Sequence, residues 1–86
     1  MSAVPLVVNF EGDFVLQLVG VDSAFTMDEV ADAAALHSVG RRVRPRSEGV
    51  LRVRRQDDEK PLERSKTVAQ AGLEPMETVV VYWNER

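Results

Sequence analysis

Residues 25–30, which read FTMDEV, carry the clearest structural signal in the sequence because they predict the start of a helix. Thr26 can cap the helix, and Glu29, three residues later, completes a capping box. Phe25 and Val30 occupy the two positions of a hydrophobic staple. Asp28 and Glu29 also place negative charge at the positive end of the helix dipole. The first helical residue is therefore expected at position 27.

An apolar stripe follows this start and predicts a helix over residues 27–39. Its members recur at helical spacing and are Met27, Val30, Ala31, Ala34 and Ser38. Gly40 can adopt the left-handed conformation that often ends a helix. Arg41 and Arg42 favour the negative end of the helix dipole. The chain is thus expected to have one main helix with one apolar face.

Strands are predicted on both sides of this helix. Residues 4–10 alternate, with Leu6, Val8 and Phe10 on one face, and a short turn leads into a second strand at residues 14–21. The remaining predicted elements are, in chain order, a strand at 50–55, a short edge strand at 61–64, a helical turn at 67–70 and a strand at 78–83.

This order of elements, a hairpin followed by a crossing helix and further strands, is typical of the β-grasp or ubiquitin-like fold. We therefore predict an α+β protein with a mixed sheet of four to five strands and the main helix packed on one face. Residues 1–86 contain no linker, repeat or low-complexity segment and are expected to form a single domain.

The second strand is apolar on both faces, whereas one helix can cover only one face of the sheet. Residues assigned to the face opposite the helix are Val15, Val19, Val21, Val80 and Tyr82. A monomer would place polar residues there, and an exposed apolar patch usually marks a binding surface. The alternative is that flanking loops or the terminal residues 84–86 cover these side chains.

Arginine is concentrated in one segment of an otherwise acidic chain. Seven arginines lie between residues 41 and 55, whereas residues 1–40 contain six acidic residues and no Lys or Arg. Guanidinium groups make planar, bidentate contacts with carboxylates or phosphates, so this segment predicts a recognition surface. The arginines expected to contact a partner are Arg41, Arg42, Arg44, Arg52 and Arg54. Arg46 and Arg55, near turns, are expected to be solvated.

The sequence contains no pattern that predicts catalysis. It has no cysteine, and its single histidine, His37, is expected to be a solvated or packed helix residue. Residues 57–59 are acidic but lack the ligand spacing of a calcium loop. No phosphate-binding loop, nucleophile motif or metal-ligand spacing occurs. We expect no catalytic, cofactor-binding or metal-binding residue in this chain.

Other classes of protein are also disfavoured by the sequence. No apolar run approaches the length of a membrane span, and the first residues do not resemble a signal peptide, so a cytoplasmic protein is expected. An acidic pI of about 5.1 does not favour a general nucleic-acid binder. The last residues lack the Gly-Gly tail of ubiquitin-type carriers, which argues against conjugation chemistry.

Three blocks of sequence together resemble one protein family. They are DFVLQLV at residues 13–19, MDEVA at 27–31 running through His37 to RRVRP at 41–45, and LRVRR at 51–55 followed by AGLEP at 71–75. These blocks are similar to the small gamma subunit of bacterial multicomponent monooxygenase hydroxylases of the toluene, phenol, alkene and isoprene type. The similarity extends over nearly the whole chain.

This resemblance implies a non-catalytic, ubiquitin-like subunit bound to a large alpha subunit that holds a diiron centre. A beta subunit in the same hydroxylase, an effector protein, a Rieske ferredoxin and an NADH-dependent reductase are the further partners it implies. The gamma subunit would supply no iron ligand and would serve assembly and stability. Because the alpha subunit selects the hydrocarbon, this chain does not distinguish aromatic, alkene and isoprene substrates. An alternative function is a free-standing β-grasp adaptor that binds an acidic partner or nucleic acid through its arginines.

Overall fold

Four strands and two helices make up the part of the fold that the structure describes. The computed structural model describes residues 3–13, 16–38 and 49–84, the side chains of His37 and Ser38 excepted. The elements are, in chain order, β1 Ala3–Phe10, β2 Gln17–Asp22, α1 Met27–Ser38, β3 Val50–Arg55, α2 Val68–Ala71 and β4 Thr78–Asn84.

The strands form one mixed sheet in the order β2-β1-β4-β3. β1 pairs antiparallel with β2 and parallel with β4, and β3 pairs antiparallel with β4. The first and last strands are therefore the two central strands, as in a β-grasp fold. This arrangement confirms the predicted α+β class and the mixed sheet. The edge strand predicted at 61–64 is reduced to a single bridge between Pro61 and Arg54.

The core lies between α1 and one face of the sheet. Alternate residues of β1 are buried on this face, and they are Val4, Leu6, Val8 and Phe10. The buried residues of α1 are Met27, Val30, Ala31 and Ala34, which confirms the predicted apolar stripe. Val79 and Val81 of β4 belong to the same cluster.

The start of α1 has the predicted capping box. Thr26 Oγ1 accepts a hydrogen bond from the amide of Glu29 over 3.3 Å, and Glu29 Oε1 accepts one from the amide of Thr26 over 3.0 Å. The next two amides, those of Met27 and Asp28, donate to the carbonyls of Lys66 and Arg64. The segment before α2 thus satisfies donors that a helix N-terminus leaves open. The predicted C-cap at Gly40 lies outside the described residues.

A second capping box begins α2. Thr67 accepts from the amide of Gln70, and the Gln70 side chain accepts from the amide of Thr67. Gly72 ends this helix in the left-handed conformation, with φ of 73°. Thr26 and Thr67 also form a β-bridge, so the two helix starts lie side by side. The helical turn predicted at residues 67–70 is confirmed.

The predicted orientation of β2 is wrong. Val19 and Val21 were expected opposite the helix, but they are 2% and 3% exposed and belong to the core cluster under α1. Pairing with β1 decides this, because Val19 lies opposite Leu6 and Val21 lies opposite Val4. Alternation of two apolar sets cannot indicate which set faces the helix, since both satisfy the same period of two.

Candidate partner-binding surface

The face of the sheet opposite α1, here called the outer face, is partly apolar. Strand register places Leu18, Val7 and Thr78 in one row across β2, β1 and β4. A second row runs from Asn9 through Val80 to Arg54. The third pairing is Tyr82 with Arg52, at the β3 side. Apolar side chains therefore lie towards β2, and guanidinium groups lie towards β3.

Leucine side chains are the most exposed apolar groups of this region. Leu18 is 62% exposed, and so is Leu16, which directly precedes β2. Val7 and Tyr82 are half-buried, whereas Val80 is buried between its register neighbours on the outer face. Of the residues predicted for the interface, Tyr82 therefore lies on the outer face and Val19 does not. The sequence-based prediction of the interface did not include Leu18 and Val7, and the pairing of β1 with β2 places both on the outer face.

Arg52 and Arg54 lie on the outer face, but both bind backbone carbonyls of this chain. Arg52 Nη2 donates to the carbonyl of Leu62 over 3.2 Å. Arg54 Nη1 donates to the carbonyls of Arg55, Gln56 and Asp58 over 3.2, 3.3 and 3.2 Å. These guanidinium groups therefore hold the segment after β3 in place, whether or not they also contact a partner.

Arg55 is not solvated, contrary to the sequence-based expectation. Its Nη1 donates to Glu77 Oε2 over 2.6 Å, and its Nη2 donates to the carbonyl of Ala71. Both side chains of the ion pair are only partly exposed. The expectation failed because Arg55 ends its strand beside α2 and the turn before β4, two segments distant in sequence.

Four of the predicted interface residues lie outside the described residues. They are Arg41, Arg42, Arg44 and Val15, and Arg46 lies there too. Their contact with a partner stays a prediction. The described arginines of the cluster, Arg52, Arg54 and Arg55, do not form a common open patch, because each guanidinium group already binds this chain.

A shallow depression lies beside the start of α1, lined by Thr26, Asp28, Arg52, Glu63, Arg64 and Ser65. Arg64 Nε donates to both carboxylate oxygens of Asp28 over 2.9 and 3.1 Å. This hydrogen bond and the charge of Asp28 raise the pKa of Arg64 above its ordinary value. Because the amides of Met27 and Asp28 already donate to backbone carbonyls, the depression offers no open helix N-terminus to an anion.

The described residues do not assemble a candidate metal site. Among them, no group of three or more His, Cys, Asp or Glu side chains could hold a metal ion. The acidic residues Asp57, Asp58 and Glu59 are exposed, and Asp58 Oδ1 accepts from the amide of Lys60 within the loop. His37 lies in α1, and its side chain is not described.

The helices of the described residues include none that is long and apolar enough to cross a membrane.

Comparison with known proteins identifies relatives over the full length of the chain. A sequence model of the TmoB family, described as toluene-4-monooxygenase system protein B, matches residues 3–83. The hydroxylase component subunit gamma of the toluene-4-monooxygenase system from Ectopseudomonas mendocina is 47% identical over 85 residues, which cover 99% of this chain and 100% of the relative. The oxygenase component subunit gamma of the alkene monooxygenase system from Xanthobacter autotrophicus is 51% identical over 45 residues, 52% of this chain and 51% of the relative.

Solved structures agree with these sequence matches. A chain in the toluene 4-monooxygenase HD complex with the inhibitor 4-bromobenzoate superposes with a TM-score of 0.93 at 46% identity, covering 96% of this chain and 100% of that one. The ubiquitin of Caldiarchaeum subterraneum superposes with a TM-score of 0.71 at 11% identity, covering 99% and 98%. The second likeness concerns the fold alone and confirms the predicted ubiquitin-like architecture. The chain belongs to the family of toluene-4-monooxygenase system protein B, as its resemblance to hydroxylase gamma subunits predicted.

Proposed function

We propose that this chain is the gamma subunit of the hydroxylase component of a hydrocarbon monooxygenase, and that it docks on the alpha subunit through the outer face. Full-length identity of 47% to a hydroxylase gamma subunit supports the subunit role. The observation that carries the docking surface is the exposed Leu18, which continues into the half-buried Val7 on the neighbouring strand. Stabilising the assembled hydroxylase is the role we assign to this contact.

Chemistry is assigned to other subunits because the donor set of this chain does not fit a diiron centre. Carboxylate-bridged diiron sites in helical bundles use Glu-x-x-His pairs, and this sequence has one histidine, His37, with Ala34 three residues before it. We therefore place the diiron centre in the alpha subunit. The beta subunit, the effector protein, the Rieske ferredoxin and the NADH-dependent reductase complete the proposed system, and this chain supplies none of their redox groups.

The docking surface combines apolar and charged groups. On binding, Leu18 and Val7 would bury apolar surface that is otherwise in contact with water. Tyr82 adds an aromatic ring beside Arg52. Aromatic and arginine side chains often dominate binding energy at protein interfaces. A stable contact of this kind buries more than ~1,000 Å² in total, so the outer face would be one part of it. The arginines at 41, 42 and 44 are proposed to extend the same interface.

Two exposed leucines on opposite sides of the protein allow a matched test of the docking face. Leu18 lies on the outer face, whereas Leu36 is 77% exposed on α1, which packs on the other face. The chain is co-expressed with the alpha and beta subunits, and the amount that co-purifies with the iron-containing hydroxylase is measured. We expect Leu18→Asp to reduce co-purification about tenfold or more, as for a central interface residue, and Leu36→Asp to leave it unchanged.

Two results would contradict this proposal. If the wild-type chain emerges without the large subunits, the gamma-subunit role itself fails. If Leu36→Asp abolishes co-purification and Leu18→Asp does not, docking occurs through the helix side and the outer face is not the interface. Circular dichroism of each variant chain checks that neither exposed substitution unfolds it.

A further inference from the structure

The two edges of the sheet differ in whether another described segment of the chain covers them. At the β3 edge, the amide of Leu62 donates to the carbonyl of Val53 over 2.8 Å, and Pro61 forms a bridge with Arg54. Arg52 also binds the carbonyl of Leu62. This edge is therefore covered by a segment of the chain itself. The other edge is β2, and no described segment pairs with its outer side.

Hydrogen bonds of β1 reveal which backbone groups of β2 point outwards. The amide of Val7 donates to the carbonyl of Glu77 over 3.0 Å, and the carbonyl of Pro5 accepts from the amide of Met76 over 2.6 Å. The backbone groups of Pro5 and Val7 thus point towards the β4 side, away from β2. In an antiparallel ladder, the β2 residues opposite Pro5 and Val7 therefore form non-hydrogen-bonded pairs with them.

Those partners are Gly20, opposite Pro5, and Leu18, opposite Val7. In a non-hydrogen-bonded pair, the amide and carbonyl of each residue point away from the neighbouring strand. Leu18 and Gly20 therefore present two donors and two acceptors along the β2 edge. No backbone hydrogen bond from a described segment outside the ladder satisfies these four groups.

The sequence of β2 also contains little that would protect an exposed edge. Its sequence, QLVGVD, contains no lysine, arginine or proline, and Leu18 is 62% exposed beside it. Gly20 leaves space, since a Cβ built there would meet no heavy atom within 4 Å. Backbone of another chain can therefore approach this edge closely. Among the described residues, this edge combines backbone groups without a partner, an apolar side chain and open space, a combination that suits strand addition.

We propose that β2 binds an extended segment of the hydroxylase alpha subunit, which adds to the sheet as a fifth strand. This inference rests on the proposed gamma-subunit function and specifies how part of that docking occurs. Main-chain hydrogen bonds to Leu18 and Gly20 supply the pairing. Alternate side chains of the added segment lie on the outer face, where an apolar residue packs beside Leu18.

Charge favours a foreign segment over a second copy of this chain. Residues 1–40, which contain β2, include six acidic residues and no Lys or Arg. Pairing β2 with its own copy would bring two acid-rich regions together, whereas a segment with flanking basic residues would be attracted. The outward side of β2 also adjoins Leu18, so strand addition and the apolar contact of the outer face form one continuous surface.

Gly20→Pro and Gly20→Ala form a matched pair that tests the backbone contact. Proline removes the outward amide of residue 20 but no hydrogen bond to β1, and proline is tolerated on strand edges. Alanine keeps the amide and adds one carbon into open space. In the co-expressed complex we expect Gly20→Pro to weaken association about tenfold or more, because a buried carbonyl of the partner loses its donor. Gly20→Ala is expected to retain association within about twofold.

Amide hydrogen exchange of the wild-type chain gives a second measurement that does not depend on folding of the proline variant. On complex formation, the amides of Leu18 and Gly20 should exchange more slowly. The amide of Val19 serves as the control, since it already points towards β1 and should change far less.

Each outcome separates this inference from the function on which it rests. Failure of the wild-type chain to co-purify would remove the proposed function. Normal co-purification with unchanged exchange at Leu18 and Gly20, or with full retention of Gly20→Pro, would overturn strand addition while the function stands. If Gly20→Ala weakened association as much as Gly20→Pro, steric crowding rather than loss of the amide would be the cause, and strand addition would also be overturned. If the chain self-associated and Gly20→Pro abolished that self-association, the added strand would come from a second copy of this chain instead.

Discussion

Arg55 and Glu77 form an ion pair of 2.6 Å that ties the end of β3 to the turn before β4. The same guanidinium group donates to the carbonyl of Ala71, the last residue of α2. Glu77 in turn accepts a hydrogen bond from the amide of Glu74 through its second carboxylate oxygen. One arginine therefore joins the end of β3 to two segments that lie 16 and 22 residues later in the sequence.

Replacement of Arg55 by lysine should lower the stability of the isolated chain. A lysine ammonium keeps the charge but cannot reach a carboxylate and a carbonyl at once with the fork of a guanidinium group. Because hydrogen bonds to partly buried charged groups contribute about 1.5–3 kcal/mol, we expect a loss of roughly 1–2 kcal/mol in the free energy of unfolding. Urea denaturation measures it.

Arg64→Lys is the matched control for this substitution. Arg64 pairs with Asp28 on the surface, where solvent screens the interaction, so its replacement should leave the urea midpoint unchanged. An equal loss for both variants would mean that the Arg55 contacts contribute no more than an exposed pair.

Val19 and Leu18 are sequence neighbours with opposite expected effects. Val19→Ala removes buried methyl groups and should lower the free energy of unfolding by roughly 2 kcal/mol, as for other truncations in a core. Leu18→Ala should change stability by less than ~0.5 kcal/mol, since the side chain is largely exposed. Association with the hydroxylase should instead be weakened more by Leu18→Ala than by Val19→Ala. If Leu18→Ala were the more destabilising of the two, the described register of β2 would be incorrect.

The elements of the fold could be predicted because each has a local cause. Each helix start is indicated by a capping box that spans four residues, Thr26 to Glu29 for α1 and Thr67 to Gln70 for α2. Both capping boxes are present in the structure. Strand β3 matches its predicted bounds, since alternation of apolar and basic residues is unambiguous there. Local chemistry of this kind needs no knowledge of the tertiary structure.

The candidate site was harder to predict because its residues depend on pairing between distant strands. Whether Val19 or Leu18 faces the helix is decided by which β1 residue lies opposite, and the sequence does not contain that register. Arg55 likewise depends on the position of Glu77, twenty-two residues away. Charge and apolar content predicted that the chain has a binding surface. Which residues share the outer face could be determined only from the fold.

The capping box of α1 should contribute measurably to stability. Thr26→Ala removes the oxygen that accepts the amide of Glu29, and N-cap substitutions of this type cost about 1 kcal/mol. Thr26→Ser keeps an equivalent hydroxyl and is expected to lose only a small part of this amount. Thermal denaturation of the two variants compares them. Equal melting temperatures would show that the carbonyls of Lys66 and Arg64 suffice to satisfy the helix start.

Gly72 is expected to be more sensitive to substitution than Gly20. Its φ of 73° lies in the left-handed region, where a side chain costs roughly 1–2 kcal/mol, and Gly72→Ala should destabilise the chain by about this amount. Gly72→Asn is the control, because asparagine tolerates this conformation better than alanine does. The free energy of unfolding of each variant decides the point, and a neutral Gly72→Ala would contradict the left-handed cap.

Charge reversal of Arg54 should act on the chain itself before it acts on any partner. Its Nη1 group donates to the carbonyls of Arg55, Gln56 and Asp58, so a carboxylate in its place would face three acceptors. We expect Arg54→Glu to increase hydrogen exchange of residues 56–60 and to lower stability by about 1 kcal/mol, whereas Arg54→Gln should do less of both because it can still donate.

This expectation changes how an assembly defect of Arg54→Glu is interpreted. Loss of hydroxylase association together with faster exchange at residues 56–60 would indicate a displaced loop. Loss of association with unchanged exchange and stability would indicate direct contact of Arg54 with the partner, as the sequence alone predicted. Leu18→Asp provides the reference, since Leu18 makes no hydrogen bond to that loop and its effect on association should be free of this ambiguity.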